Sequence, residues 1–242
     1  MAMRPSDETG VERILIVSAH PDDVDFGAAG SVATWTDAGI HVAYCLVTDG
    51  DAGGSDNTIT RARMAEIRRA EQTAAAATVG VHELHFLGYP DGRVTASLDL
   101  RRDLSRVIRR VRPDRVCVQS PERRWDRIYA SHPDHLAAGE AALAAVYPDA
   151  RNEFAHPELL AEGFAPWTAR EVYVIGHPQA DVHVDITAQI DRKIAALLAH
   201  ESQHADPVRT EELVRVWSEV TAQAAGLPEG RRAEAFLRVD TA

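Results

Sequence analysis

The apolar run Ile14-Leu15-Ile16-Val17 ends in His20-Pro21-Asp22-Asp23, and far downstream Val116-Cys117-Val118 is followed by Ser131-His132-Pro133-Asp134-His135. Short, unbroken apolar runs mark strands covered on both faces, as in parallel sheets whose crossovers are helices. In an open α/β sheet, ligands bind beyond the carboxyl ends of the strands. Two histidine–carboxylate clusters at two strand ends can therefore meet at one point. The pairing points to an α/β fold, a Rossmann-like and mostly parallel sheet flanked by helices.

The rest of the chain fits that alternation. Strands are predicted at 13–19, 41–47, 83–87 and 115–119, and shorter ones at 172–176 and 182–184. Helical spacing appears at 28–38, 60–78, 98–111, 134–146 and 187–200. Gly39 and Gly80 stop the first two helices, and the third halts before Pro113. Pro133 suits the first turn of the fourth, with His132 just ahead of it. Residues 48–57, rich in Gly, Asp and Ser, read as a loop. No repeat or low-complexity linker divides the chain. The reading is a single domain: a flexible N-terminus at 1–12, the domain itself at 13–203 and a helical C-terminal extension at 204–242.

Composition narrows the function. The chain has 242 residues and a formal net charge of -11, which repels polyanions and argues against nucleic acid and anionic membranes as partners. No run reaches the ~20 apolar residues needed to span a bilayer. The first twelve residues lack the apolar stretch of a signal peptide, so a cytoplasmic location is expected. The two cysteines, Cys45 and Cys117, lie inside apolar runs and read as buried small hydrophobes. A homo-oligomer is compatible with all of this.

Imidazole nitrogen and carboxylate oxygen are zinc donors, and a catalytic zinc keeps three protein ligands with one open position. His20 and Asp23 stand three apart on a turn stiffened by Pro21, so both can reach one ion while Asp22 points elsewhere. The third ligand then comes from His135 or His132. The remaining carboxylate can take a proton from water, and the remaining histidine can stabilise an oxyanion or protonate a leaving amine. Asp134 can orient one of the imidazoles. Gly27 and Gly30 do not complete a dinucleotide fingerprint, because Asp25 and Ala28 stand where it needs glycine.

The segment from Ala19 to Val32 resembles the opening motif of the LmbE-like, or PIG-L-type, N-acetylglucosamine deacetylases. His132-Pro133-Asp134-His135, followed by Ala137-Ala138-Gly139, is similar to their second motif. Thr48-Asp49-Gly50, Arg68 with Glu71, Leu87 to Gly92, Val184 to Thr187, Lys193 and His200 to Gln203 extend the likeness over about residues 13–203. The resemblance implies His20, Asp23 and His135 as zinc ligands, with Fe2+ or another divalent ion as a substitute. It implies Asp22 as general base and His132 as oxyanion stabiliser or acid. It also implies Arg68 and Asp91 as contacts to sugar hydroxyls, Asp134 being the supporting carboxylate. The substrate class would be a small N-acetylated amino sugar. Two positions depart from the pattern: Val24 replaces the usual Glu, with Asp25 next, and Ala130 replaces an active-site Tyr of one branch, with Tyr129 one residue earlier.

Three rivals are distinguishable. An amidase of the same fold could cleave a thiol conjugate or another N-acyl compound. A Rossmann-like sugar- or nucleotide-binding module would need no metal. A structural metal site would have a closed ligand set. In helix 60–78, Arg68 can also pair with Glu71 three residues on, and Asp91 can serve as a turn residue in Pro90-Asp91-Gly92.

Overall fold

The computed structural model describes residues 3–54 and 56–241, the Tyr129 side chain excepted. Strands β1 (Arg4–Pro5), β2 (Arg13–Ser18), β3 (His41–Thr48), β4 (Glu83–Tyr89), β5 (Arg115–Gln119), β6 (Glu171–Ile175), β7 (Val182–Asp185) and β8 (Ala233–Asp240) form one sheet. Its order is β1-β7-β8-β6-β5-β2-β3-β4. Every pairing is parallel except those of β8, which runs antiparallel to both β6 and β7. The expected fold class is the one observed.

The strand β2 explains why its sequence is uninterruptedly apolar. Ile14 and Ile16 pack into the core on one face of the sheet, Leu15 and Val17 into the core on the other. The first face is covered by α1 (Asp23–Asp37), α2 (Arg61–Thr78) and α6 (Ile190–Leu198), the second by α3 (Leu98–Val111) and α4 (Pro133–Ala144). Helix ends carry their signals. Thr60 caps α2 by accepting from the Arg63 amide, and Ser97 caps α3 by accepting from the Leu100 amide. Truncating a wholly buried leucine such as Leu100 or Leu104 costs about 2–5 kcal/mol.

Because α1 follows β2 onto one face and α4 follows β5 onto the other, a crevice opens between these adjacent strands at their carboxyl ends. Gly139 lets α4 close on it. A Cβ there would lie 2.3 Å from the Gln119 carbonyl oxygen, so only glycine permits this approach of helix to strand.

Two boundary expectations need correction. Residues 4–12 are tied down, since β1 pairs with β7. Glu8 accepts from Trp35 Nε1 at 2.9 Å and faces the buried Arg115 guanidinium at 2.5 Å. Burial of Arg115 is offset by Glu8, Glu171 and the Tyr173 ring 3.9 Å away. The segment after 203 is not only helical. Beyond α7 (Pro207–Ala224), β8 inserts between β6 and β7 as an interior strand. The short α5 (Pro157–Ala161) completes the helices. Among the described residues no helix is long and apolar enough to cross a membrane. Cys45 and Cys117 are free and buried.

Candidate active site

The two histidine motifs meet at the crevice. His20 leaves the end of β2, while α1 starts at Asp23 with Asp22 in the capping position. Asp22 has φ 82, a left-handed conformation that costs a residue with a Cβ about 1–3 kcal/mol. The turn brings the Asp23 carboxylate back to the His20 amide, Oδ2 accepting at 2.7 Å. In the second motif α4 begins at Pro133, and His132 caps it with Nδ1 accepting from the Asp134 amide at 3.2 Å. His135 then projects from the first turn.

Donor atoms of three side chains converge. His20 Nδ1 lies 3.3 Å from Asp23 Oδ2 and 3.2 Å from His135 Nε2, and His135 Nε2 lies 3.1 Å from Asp23 Oδ1. A tetrahedron around an ion with bonds of about 2.0–2.1 Å has edges of about 3.3–3.4 Å. His20, Asp23 and His135 thus fit one divalent ion with little movement. His132 stands beside them, its ring centroid 5.0 Å from that of His20 and 5.3 Å from that of His135.

The electrostatics agree with that fit. Burial opposes charge on His20, but hydrogen bonds to Asp23 and Asp91 outweigh it and push the imidazole up to about 11. Burial alone would raise Asp23, yet His135 and His20 hold it far below the carboxylate range. The pocket therefore calls for positive charge, which His20 meets with a proton and a metal would meet instead; binding one would release that proton.

The other nitrogen of His20 faces carboxylates. Nε2 lies 3.1 Å from Asp91 Oδ1 and 3.2 Å from Asp134 Oδ2. Asp134 is fixed by the amides of Gly92 and Val94, and Asp91 by that of Ala52. Asp22 is half-buried beside them. Burial, and then the charge of Asp23, push its carboxyl up to about 7 against the pull of Arg68.

Arg68 is buried under the turn, with Nη2 3.0 Å from Asp22 Oδ2 and donating to the Pro21 carbonyl at 2.5 Å. Gly50, at φ +65, makes room for it, since a Cβ there would lie 2.3 Å from Arg68 Nη1. Glu71 does not pair with Arg68. Its carboxylate accepts from the amide and hydroxyl of Ser202, each at 2.7 Å. Asp91 is more than a turn residue, given its contact with His20. The Tyr129 side chain lies outside the described residues. Asp185 is occupied by Thr187 and Arg231, and His183 lies buried on β7.

One group of residues escaped the sequence reading as a unit. Asp25, Gln72 and His200 are wholly buried and bonded to one another behind Asp22. The signal was present in α2, where Met64, Arg68 and Gln72 recur every fourth residue on the inward face. Two polar residues in that stripe are an anomaly for a plain packing surface.

Comparisons with known proteins agree with this geometry. Residues 15–146 match the family described as PIG-L, GlcNAc-PI de-N-acetylase. A diacetylchitobiose deacetylase of Thermococcus kodakarensis is 32% identical over 198 residues, covering 82% of this chain and 72% of that protein. The structure of an N,N'-diacetylchitobiose deacetylase from Pyrococcus horikoshii superposes with a TM-score of 0.89 at 26% identity, covering 97% of this chain and 86% of that one. GalB of Pseudomonas putida, a 4-carboxy-2-hydroxymuconate hydratase, superposes with a TM-score of 0.78 at 25% identity, covering 94% and 96%. With the family match spanning both histidine motifs and the relatives covering most of its length, the chain belongs to the PIG-L, or LmbE-like, family.

Proposed function

We propose that the protein is a metal-dependent N-deacetylase acting on a small amino sugar of the N-acetylglucosamine type. The observation that carries this reading is the clustering of His20, Asp23 and His135, whose nearest donor atoms lie 3.1–3.3 Å apart with the two Asp23 oxygens serving one histidine each, and with Asp22 and His132 beside them. The mixed nitrogen and oxygen donors favour zinc, and other divalent ions suit them too. Bound there, such an ion supplies Lewis acidity toward the amide carbonyl and lowers the pKa of water.

The protein's own groups do the rest. Asp22, with its carboxyl near 7, takes the proton of the attacking water. His132 spends Nδ1 on the Asp134 amide, so its neutral ring carries the proton on Nε2. That N–H donates to the developing oxyanion, and the proton held by Asp22 passes to the departing nitrogen. The C–N bond breaks, and acetate and free amine leave. Asp134 and Asp91 fix the His20 ring from behind. Arg68 and Asp91 are assigned to sugar hydroxyls on the family pattern alone, since in this structure both are buried and already engaged, Arg68 with Asp22 and the Pro21 carbonyl and Asp91 with His20 and the Ala52 amide.

The hydratase relative supports a second reading, in which the same donor set serves addition of water to a carbon–carbon double bond. One experiment separates the two. Metal-free protein is assayed, before and after zinc is added, for acetate release from N-acetylglucosamine derivatives and for hydration of 4-carboxy-2-hydroxymuconate. Zinc-restored acetate release is expected. Hydration without any acetate release would replace the deacetylase reading.

A further inference from the structure

Gln72 is wholly buried on α2, and its carboxamide spans two groups at the start of α1. Its Oε1 accepts from the Asp22 amide at 2.9 Å, and its Nε2 donates to Asp25 Oδ2 at 2.9 Å. The amide orientation is fixed by chemistry, since a backbone N–H only donates, so Oε1 must face Asp22 and Nε2 faces Asp25. The same Asp25 oxygen lies 2.9 Å from His200 Nε2. Lys193 Nζ donates to the Asp25 and Phe26 carbonyls at 2.8 and 2.6 Å and pairs with Glu234 at 2.6 Å. The first turn of α1 thus rests on a buried polar platform drawn from α2, α6, β8 and the His200 turn.

We infer that Gln72 is a positioning residue that locks the Asp22 peptide in its left-handed turn and so aims the Asp22 carboxylate. The inference rests on Asp22 acting as the base proposed above. Asp22 makes no side-chain capping bond of its own, and the partner its amide finds is Gln72. Without that partner a part-buried N–H loses its acceptor, and the backbone of Asp22 is free to leave a costly conformation. The metal ligands on either side have separate anchors. His20 is held by Asp91 and Asp134, and Asp23 by the His20 amide and His135. Loss of Gln72 should therefore damage turnover while sparing the metal site.

The test uses Gln72→Met, which keeps length and removes both hydrogen bonds, and Gln72→Glu, which keeps an acceptor for the Asp22 amide and bonds Asp25 through a carboxyl proton shared between the two acids. In Gln72→Met, kcat should fall about 10- to 100-fold, with KM changed by less than about twofold and metal stoichiometry unchanged. Independently of any substrate, the Asp22 amide of the metal-free protein should exchange its hydrogen about tenfold faster by NMR. Gln72→Glu should restore slow exchange and much of kcat. Parent-like kcat and exchange in Gln72→Met would overturn the inference, and so would loss of metal together with kcat. If Gln72→Met does not fold, fast Asp22 exchange with full kcat in Gln72→Glu would also overturn it. Absence of acetate release from the parent protein would count against the deacetylase reading, while amide exchange would still decide whether Gln72 holds Asp22.

Discussion

His20-Pro21-Asp22 and His132-Pro133-Asp134 spell the same tripeptide, yet the helix begins at a different residue in each. In the first, α1 starts after the tripeptide, so Asp22 is the cap, with a left-handed backbone and a carboxyl beside the proposed metal ligands. In the second, α4 starts at Pro133, so His132 is the cap and Asp134 lies inside the helix, buried. The imidazoles diverge as well. His20 turns Nδ1 to Asp23 and His135, whereas His132 spends Nδ1 on the next turn's amide. The Asp of the second copy then faces the His of the first, Oδ2 3.2 Å from Nε2. A shift in where the helix starts turns identical letters into different roles.

The largest expected effect contrasts the two aspartates. Asp22→Asn should lower kcat by about 10²- to 10⁴-fold with metal content unchanged, read by acetate release and elemental analysis. If that variant loses its metal, Asp22 is a ligand and the contrast fails. Next is the ion that would join the two motifs. Removing it with a chelator should lower Tm, the bound form being more stable by about 2.7–4.1 kcal/mol at a hundred- to thousandfold excess over Kd. Calorimetry should find that difference abolished in His135→Ala and kept in Asp22→Asn.

Asp134→Ala comes third. Removing the carboxylate behind His20 should weaken metal affinity about 10- to 100-fold, measured by competition with a chromophoric chelator. A variant with parent affinity would show that Asp91 alone orients the ring. The smallest effect has opposite sign at the two sites. Glycine should be more stable than alanine at position 22 by about 1 kcal/mol, because it relieves a positive φ. At position 134, in the first turn of α4, glycine should be less stable than alanine by up to about 1 kcal/mol. Thermal melts of the four variants settle the comparison, and equal order at both sites would contradict the two backbone assignments.

Sequence pattern carried the parallel half of the molecule well. The run Ile14 to Val17 announces a strand covered on both faces, and the helices read from 60, 98 and 134 begin within a residue of those positions, whereas the first, read from 28, begins at Asp23. That the two histidine motifs meet was legible because both follow strands of one sheet, while the choice of His135 over His132 came from the family resemblance. What stayed hidden depends on partners far apart in the chain. Glu71 finds Ser202 rather than its helix neighbour Arg68, and Gln72 finds Asp22 and Asp25. No local periodicity encodes such pairings. The short β1 and the antiparallel β8 were missed for the same reason, since each is defined by the strand it joins.

The position of β8 bears on how the chain assembles. A ribosome releases the whole donor set, and β2 to β5 beneath it, before the sheet's other side has a seat. Among the described residues, the strand pairing that joins β1 and β7 to that scaffold runs through β8, Ala233–Asp240. Until β8 is made, the β6 edge and the β7 edge both expose unpaired backbone, which is a template for pairing with other chains. A nascent chain stalled before that point would already have the site's ligands while displaying two sticky edges, so the strand added late acts as the fold's latch.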